Sequence, residues 1–288
     1  MSLKDFLNQA WNDHATQALQ VAGRLEDGIK LIEENDQIPS MIHLVTHIMG
    51  EHLGKWDHGV KVLEKLSKHP LFEVGTESSK TLRRSIASLE VAGGKHESLD
   101  DLSLSDQIRV LAVAASALSE QKNSTKSQIL FRRALDKVQS GIDKGDPSIR
   151  ALAVTGNNLA CALEEKLVRS KEDTELMILA AQTGRKYWEI VGTWLETERA
   201  EYRLSKTYLK ANDLPKALEH AQTCLEVAQE NNAPALELFF GYEALALVEK
   251  ARGNSIGFAK AVEQARKKFD QLGADDKIWC ESSLNKLF

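Results

Sequence analysis

The chain has 288 residues, of which only 17 are Gly and 5 are Pro, so it lacks the frequent turns that a β-sandwich or barrel of this length needs. Hydrophobic residues make up 42% and charged residues 27% of the chain, a balance typical of a water-soluble protein with a substantial core. The net charge of −5 excludes an overall positive field that would attract nucleic acid or an acidic membrane. The composition therefore favours long helices around an aliphatic core.

Helical periodicity extends over almost the whole chain and is interrupted by short start and stop signals. Asp146-Pro147 places an N-cap carboxylate before a proline, and Ser103 followed by Asp106 resembles a capping box. No segment alternates polar and apolar residues for long enough to predict a strand. These signals predict helices at 12–34, 39–53, 56–68, 76–92, 105–121, 124–143, 147–168, 173–191, 195–211, 214–230, 234–252, 255–272 and 275–286.

The predicted helices also form pairs. In each pair a large residue precedes a small one, a tight turn follows, and small residues recur on the returning helix. Because small residues let two helix backbones approach each other, this pattern predicts closely packed antiparallel hairpins. The clearest unit contains Leu204, Ser205, Tyr208, Asn212, Asp213, Leu214, Ala217 and Ala221.

This unit resembles the tetratricopeptide repeat, in which a small residue and an aromatic on the first helix precede a Gly-Asp turn. The resemblance covers 105–272 well and 38–70 in part, with repeats of 41 to 45 residues where about 34 is usual. It implies an all-α fold whose antiparallel hairpins stack in a right-handed superhelix, an α-solenoid. We therefore expect an N-terminal helical region with one partial repeat at 1–95 and a repeat array at 96–288.

The resemblance also implies a binding site, because the first helices of such repeats line a concave groove that holds a peptide or a partner protein. Asn158, Arg199 and Arg203 match part of the carboxylate clamp of chaperone-binding members of the family. Two arginines four residues apart project from one helical face and can bind a carboxylate bidentately. Ala112 and Ser116 stand where that clamp carries Lys and Asn.

Three further side chains complete the predicted peptide-binding groove. Tyr202 and Lys206 lie on the same predicted helix as the arginines, and Phe240 lies on the next first helix. Trp, Tyr and Arg together are the composition of binding hot spots. The alternative is that the arginines pair with neighbouring carboxylates on a solvated helix and bind no ligand, the candidate partners being Glu196, Glu198 and Glu201.

A second function class is a metal-dependent enzyme or sensor in the N-terminal helices. His43, His47 and Glu51 are four residues apart and share one face of a helix. Two histidines at this spacing can chelate a divalent metal, Glu51 can supply a third ligand, and Asp13 and His14 are the candidates for the fourth. The alternative is a set of partly exposed helix histidines without a metal.

Motifs for other chemistry are absent from the sequence. It contains no phosphate-binding loop, no dinucleotide fingerprint and no nucleophile elbow, so no cofactor is expected apart from the divalent metal of the alternative. The three cysteines form no metal or disulfide pattern. A binding protein is therefore favoured over an enzyme.

The sequence predicts a cytoplasmic location. The first residues lack the apolar stretch of a signal peptide, and the most apolar window, 110–118, is shorter than the roughly 20 residues of a membrane span. A peptide-sensing regulator of transcription is a third possibility, but 1–70 shows no basic recognition helix. We expect a protein or peptide partner and neither a nucleic acid nor a membrane.

Overall fold

The computed structural model describes residues 1–288 and confirms an all-helical chain without strands. Each of the thirteen predicted helices is present. No helix combines the length and the apolar content that a membrane crossing requires. The helices are α1 (Leu3–Ile29), α2 (Ile38–Thr46), α3 (Trp56–Leu66), α4 (Glu77–Ala92), α5 (Leu104–Glu120), α6 (Ser124–Val138), α7 (Pro147–Glu165), α8 (Lys171–Val191), α9 (Trp194–Lys210), α10 (Leu214–Glu230), α11 (Ala235–Ala251), α12 (Ser255–Asp270) and α13 (Ala274–Asn285).

Two short 3₁₀ helices and one π-helical segment lie between the longer helices. The 3₁₀ helices are Asn35–Gln37 and His96–Leu99, and the π-helical segment, His47–His52, continues directly from α2. The region predicted as one helix at 39–53 is therefore an α-helix followed by a wider π turn.

The chain divides into two compact units, Met1–Ser148 and Ile149–Phe288. This boundary differs from the one expected near residue 95. The reason is that α5 packs against α4 and against the π-helical segment, so the helices after residue 95 share the packing of the N-terminal ones.

The first helix begins nine residues earlier than predicted. Ser2 accepts a hydrogen bond from the backbone N–H of Asp5, and the Asp5 carboxylate accepts one from the backbone of Ser2, which forms a complete capping box. Leu3 and Phe6 are buried against the core of the first unit, which consists mainly of aliphatic side chains from α1 to α4.

Three helix pairs share one turn geometry. In each turn a residue with left-handed backbone follows the first helix, and the next residue caps the second helix with its side chain. The backbone N–H of that capping residue also bonds to the carbonyl five residues earlier, as in a Schellman motif. The left-handed residues and their capping neighbours are Lys122 and Asn123, Asn212 and Asp213, and Gly253 and Asn254.

A buried serine hydroxyl joins the two helices in two of these pairs. Ser127 on α6 donates to the carbonyl of Ala115 on α5 over 2.6 Å, and Ser205 on α9 donates to the carbonyl of Ala217 on α10 over 2.9 Å. Both bonds span twelve residues, with donor and acceptor exchanged between the helices. Within each pair, the two helices therefore approach each other at small residues, and these residues occupy equivalent positions in the two pairs.

In the second unit, consecutive helices from α8 to α12 pack against each other in sequence order. Contacts also join α9 to α11, the first helices of successive pairs. This packing places alternate helices side by side and positions the candidate site described next.

Candidate functional sites

A cavity of about 360 Å³ lies in the second unit, between side chains of α7, α9, α11 and α13. One wall is apolar and contains Tyr202, Leu236, Phe240 and Trp279. The Phe240 ring packs edge-on against Tyr202, with ring centroids 5.7 Å apart, and against Trp279, at 5.2 Å. Trp279 is 64% exposed, so this wall reaches the surface.

Four of the six side chains predicted for the peptide groove line this cavity. They are Arg199, Tyr202, Arg203 and Phe240. Asn158 is exposed and lies outside it, whereas its neighbour Asn157 lines it. Adjacent helix residues differ by about 100° around the helix axis, so a register error of one residue moves a side chain out of the groove.

The two arginines of α9 that line the cavity are already neutralised by carboxylates of neighbouring helices. Arg199 Nη2 lies 2.7 Å from Glu237 Oε1 on α11, and Arg203 Nη1 lies 2.5 Å from Glu164 Oε2 on α7. These carboxylates are not on α9, so the partners of the two arginines differ from Glu196, Glu198 and Glu201, which the alternative interpretation of the sequence named. A free carboxylate would have to displace Glu164 or Glu237 before the arginines could bind it.

Lys206 does not line the cavity. Its Nζ lies 2.9 Å from Glu243 Oε1 on α11, and Tyr202 donates its phenolic hydroxyl to the other oxygen of Glu243 over 3.2 Å. Glu243 is buried, so these two donors of α9 serve to satisfy its charge. This pairing makes Lys206 part of the helix packing.

Glu198 is a buried carboxyl group among the residues that line the cavity. Its Oε1 accepts a hydrogen bond from the Cys224 thiol over 2.9 Å, and its Oε2 has no partner. Burial raises the pKa of Glu198 to about 7. Arg203 Nε is also buried without a partner, so two residues of this cavity carry unsatisfied polar atoms.

A histidine cluster lies in the first unit, where His14 of α1 meets His47 and His52 of the π-helical segment. One ligand nitrogen from each ring lies within 4.8 Å of the others. The Nε2 atoms of His47 and His52 are 3.0 Å apart, and His47 Nδ1 lies 3.1 Å from Glu51 Oε2. The predicted residues His14, His47 and Glu51 are therefore together.

His43 does not join this cluster, which corrects its predicted place in the metal site. It lies on an exposed position of α2, near the cations Arg84 and Arg109. His52 takes its place, although sequence reasoning passed over it. Residues five apart lie about 140° apart around an α-helix, so only the π turn brings His52 beside His47.

Comparison with known proteins leaves the family open. No protein-family model matches the chain, and no curated protein matches its sequence. The function is therefore argued from the geometry of the two sites.

Proposed function

We propose that the second unit binds a peptide segment of a partner protein in the cavity between α7, α9, α11 and α13. The observation that carries the proposal is the pair of unsatisfied polar atoms, the acceptor Glu198 Oε2 and the donor Arg203 Nε. A buried polar atom without a partner costs about 1–3 kcal/mol. A peptide group supplies both an N–H donor and a C=O acceptor, so a bound segment that displaced the surrounding side chains and reached these two buried atoms would remove this cost.

The ligand that fits this cavity has an apolar anchor. The exposed Trp279 ring and the half-buried Phe240 ring offer a surface for a large apolar or aromatic side chain. The Asn157 amide has both donor and acceptor atoms that suit a peptide backbone. A segment that depends on a free terminal carboxylate fits less well, since the arginines are already paired.

The fold supports the proposal through its repeated features. The shared turns and the matching serine hydroxyl bonds suggest that the helix pairs are enlarged repeats of the tetratricopeptide type. We infer that they stack as a right-handed α-solenoid, an architecture that commonly presents a groove to peptides. The proposal is of a binding module in the cytoplasm rather than an enzyme.

The test begins with selection of binding sequences from a displayed random-peptide library on the immobilised full chain. We expect the selected peptides to converge on a motif with one large apolar residue. Affinity for one such peptide is then measured by fluorescence anisotropy for Asn157→Ala and Trp279→Ala. Each substitution should weaken binding about tenfold or more, which corresponds to about 1.4 kcal/mol.

Matched controls come from the neighbouring residues on the same helices. Val154→Ala on α7 and Ile278→Ala on α13 change exposed side chains that do not line the cavity, and their affinities should stay within about twofold of wild type. The proposal fails if no common motif emerges, or if the control variants lose as much affinity as the cavity variants.

A further inference from the structure

The histidine cluster of the first unit has the arrangement of a metal centre. We infer that His14, His47 and His52 bind one divalent transition metal of the zinc class and leave its fourth position open to water or an exogenous ligand. The inference is independent of peptide binding, because it concerns residues of the first unit only.

The first argument comes from the π-helical segment that carries two of the ligands. Its wider turn shows in the hydrogen bond from the Leu53 N–H to the Ile48 carbonyl, five residues earlier, at 3.1 Å. The backbone carbonyl of Glu51 accepts a bond over 2.6 Å from Nε2 of Gln121, the residue that caps the C-terminus of α5, so the end of a neighbouring helix supports the turn. π turns interrupt helices rarely and frequently do so at functional sites.

The second argument is that the outer nitrogens of two rings are already engaged. His14 Nδ1 bonds to the backbone carbonyl of Trp11, and His47 Nδ1 bonds to the Glu51 carboxylate. When Nδ1 donates a proton in this way, Nε2 of the neutral ring keeps a free lone pair. His14 and His47 therefore carry lone pairs on Nε2, whereas the contact between the Nε2 atoms of His47 and His52 holds one proton, which a bound metal would release to solvent.

The spacing of the nitrogens agrees with metal ligation. Zinc binds histidine nitrogen at about 2.0–2.1 Å, so two tetrahedral ligands lie about 3.3 Å apart. The Nε2 atoms of His47 and His52 are 3.0 Å apart, and the whole set of ligand atoms lies within 4.8 Å. Small side-chain rotations would complete three-coordinate binding.

Glu51 acts as an orienting residue rather than as a ligand. A carboxylate that accepts the outer N–H of a ligating histidine fixes the orientation of the ring and raises its basicity. This role differs from the direct ligation that the sequence spacing suggested for Glu51. Three imidazoles suit Zn²⁺, Co²⁺, Ni²⁺ or Cu²⁺ better than Mg²⁺ or Ca²⁺, which prefer oxygen ligands.

Exposure of the cluster leaves room for a fourth ligand. The three histidine side chains are only partly buried, and the Trp11 ring, which is 38% exposed, flanks them with its centroid 5.1 Å from that of His47. Sites with three protein ligands and one exchangeable position are characteristic of catalytic rather than structural zinc. An exchangeable water or ligand is therefore expected.

The experiment uses the full chain without a histidine tag, stripped of metal with a chelator. Zn²⁺ is titrated in competition with a chromophoric chelator, and Co²⁺ is followed by its visible absorption. We expect one equivalent of either metal, a higher melting temperature with metal bound, and a change in the Co²⁺ spectrum when azide is added. A spectrum that azide leaves unchanged would overturn the open fourth position.

Variants locate the site. His14→Ala and His52→Ala should each lower the Zn²⁺ affinity about 100-fold or more, and Glu51→Gln about 10- to 100-fold. His43→Ala is the matched control, one turn before His47 on the same helix, and should bind Zn²⁺ within about twofold of wild type. Circular dichroism checks that each variant is folded.

Two further outcomes would overturn metal binding itself. One is less than about a tenth of an equivalent of bound Zn²⁺ or Co²⁺ in the wild-type chain, which would leave His47 and His52 as a simple hydrogen-bonded pair. The other is an equal loss of affinity in His43→Ala and His52→Ala. The wild-type stoichiometry decides the matter even if a variant does not fold.

Discussion

Gly156 of α7 and Gly184 of α8 meet backbone to backbone, so closely that a Cβ added to Gly156 would lie 2.8 Å from the Gly184 nitrogen. The same Cβ would lie 2.6 Å from the carbonyl oxygen of Ala180. Backbone atoms cannot rotate away as a flexible side chain can. The contact therefore fixes how the first helix that contributes to the cavity packs against its neighbour.

From this contact we expect Gly156→Ala to lower the free energy of unfolding by about 1–3 kcal/mol, because the helices must separate. Gly23→Ala is the control, since nothing lies within 4 Å of its Cβ position on α1. That change should raise stability by about 0.5–1 kcal/mol through the better helix propensity of alanine. Urea unfolding followed by circular dichroism measures both, and equal effects of the two changes would refute the close crossing.

The two arginines of the cavity should differ in their contribution to stability. Arg203→Ala leaves the buried Glu164 carboxylate without its cation, and we expect a loss of about 3–5 kcal/mol. Arg199→Ala should cost about 1 kcal/mol or less, since 58% of its side chain is exposed and its removal admits water to Glu237. Thermal and urea unfolding measure both losses. A larger loss of unfolding free energy for Arg199→Ala than for Arg203→Ala would contradict this order.

Ionisation of Glu198 should lower the stability of the fold as the pH rises. Its pKa is about 7 in the folded chain and 4.5 when unperturbed, so the unfolded state loses this proton first as the pH rises. The wild type therefore loses stability between about pH 4.5 and pH 7. Glu198→Gln removes this penalty, and we expect it to be more stable than wild type by up to about 3 kcal/mol at pH 8 and equal to it near pH 4.

Glu196→Gln provides a control of opposite sign for this pH profile. Hydrogen bonds from the Thr193 side chain and backbone lower the pKa of Glu196. Its charge therefore stabilises the fold above its unfolded pKa, and this contribution is lost as the pH falls through the lowered value. Unfolding curves from below pH 4 up to pH 8 should show the stability of Glu196→Gln falling below that of wild type as the pH rises to about 4.5 and then staying level, whereas Glu198→Gln gains stability over wild type between about pH 4.5 and pH 7.

The helices could be predicted because their ends carry local signals. Ser103 with Asp106, and Asp213 before the second helix of its pair, cap helices that start within one residue of the predicted positions. The capping box of Ser2 and Asp5 is a signal of the same kind, and considering it would have moved the start of α1 from residue 12 to residue 3. Local chemistry thus accounts for most of the secondary structure.

Predicting the candidate sites would have required contacts between residues far apart in the sequence, which local patterns do not contain. Glu164 and Glu237 are 39 and 38 residues from the arginines they pair with, so only the packed helices reveal that the cations are occupied. Asn157 lines the cavity where Asn158 was predicted to do so. This difference of one residue is smaller than the error with which the repeats can be aligned by sequence. His52 required a change of helix type, which no α-helical template includes.

The π turn between His47 and His52 contains one residue more than an α-helical turn would need. An evolutionary deletion of a single residue here would restore a regular helix, keep the apolar face of α2 in register and separate the two imidazoles. A one-residue gap at this point in a homologous sequence would therefore mark a chain that retains the fold without the histidine cluster. The length of this short segment, more than the presence of histidine itself, is the trait to follow among relatives.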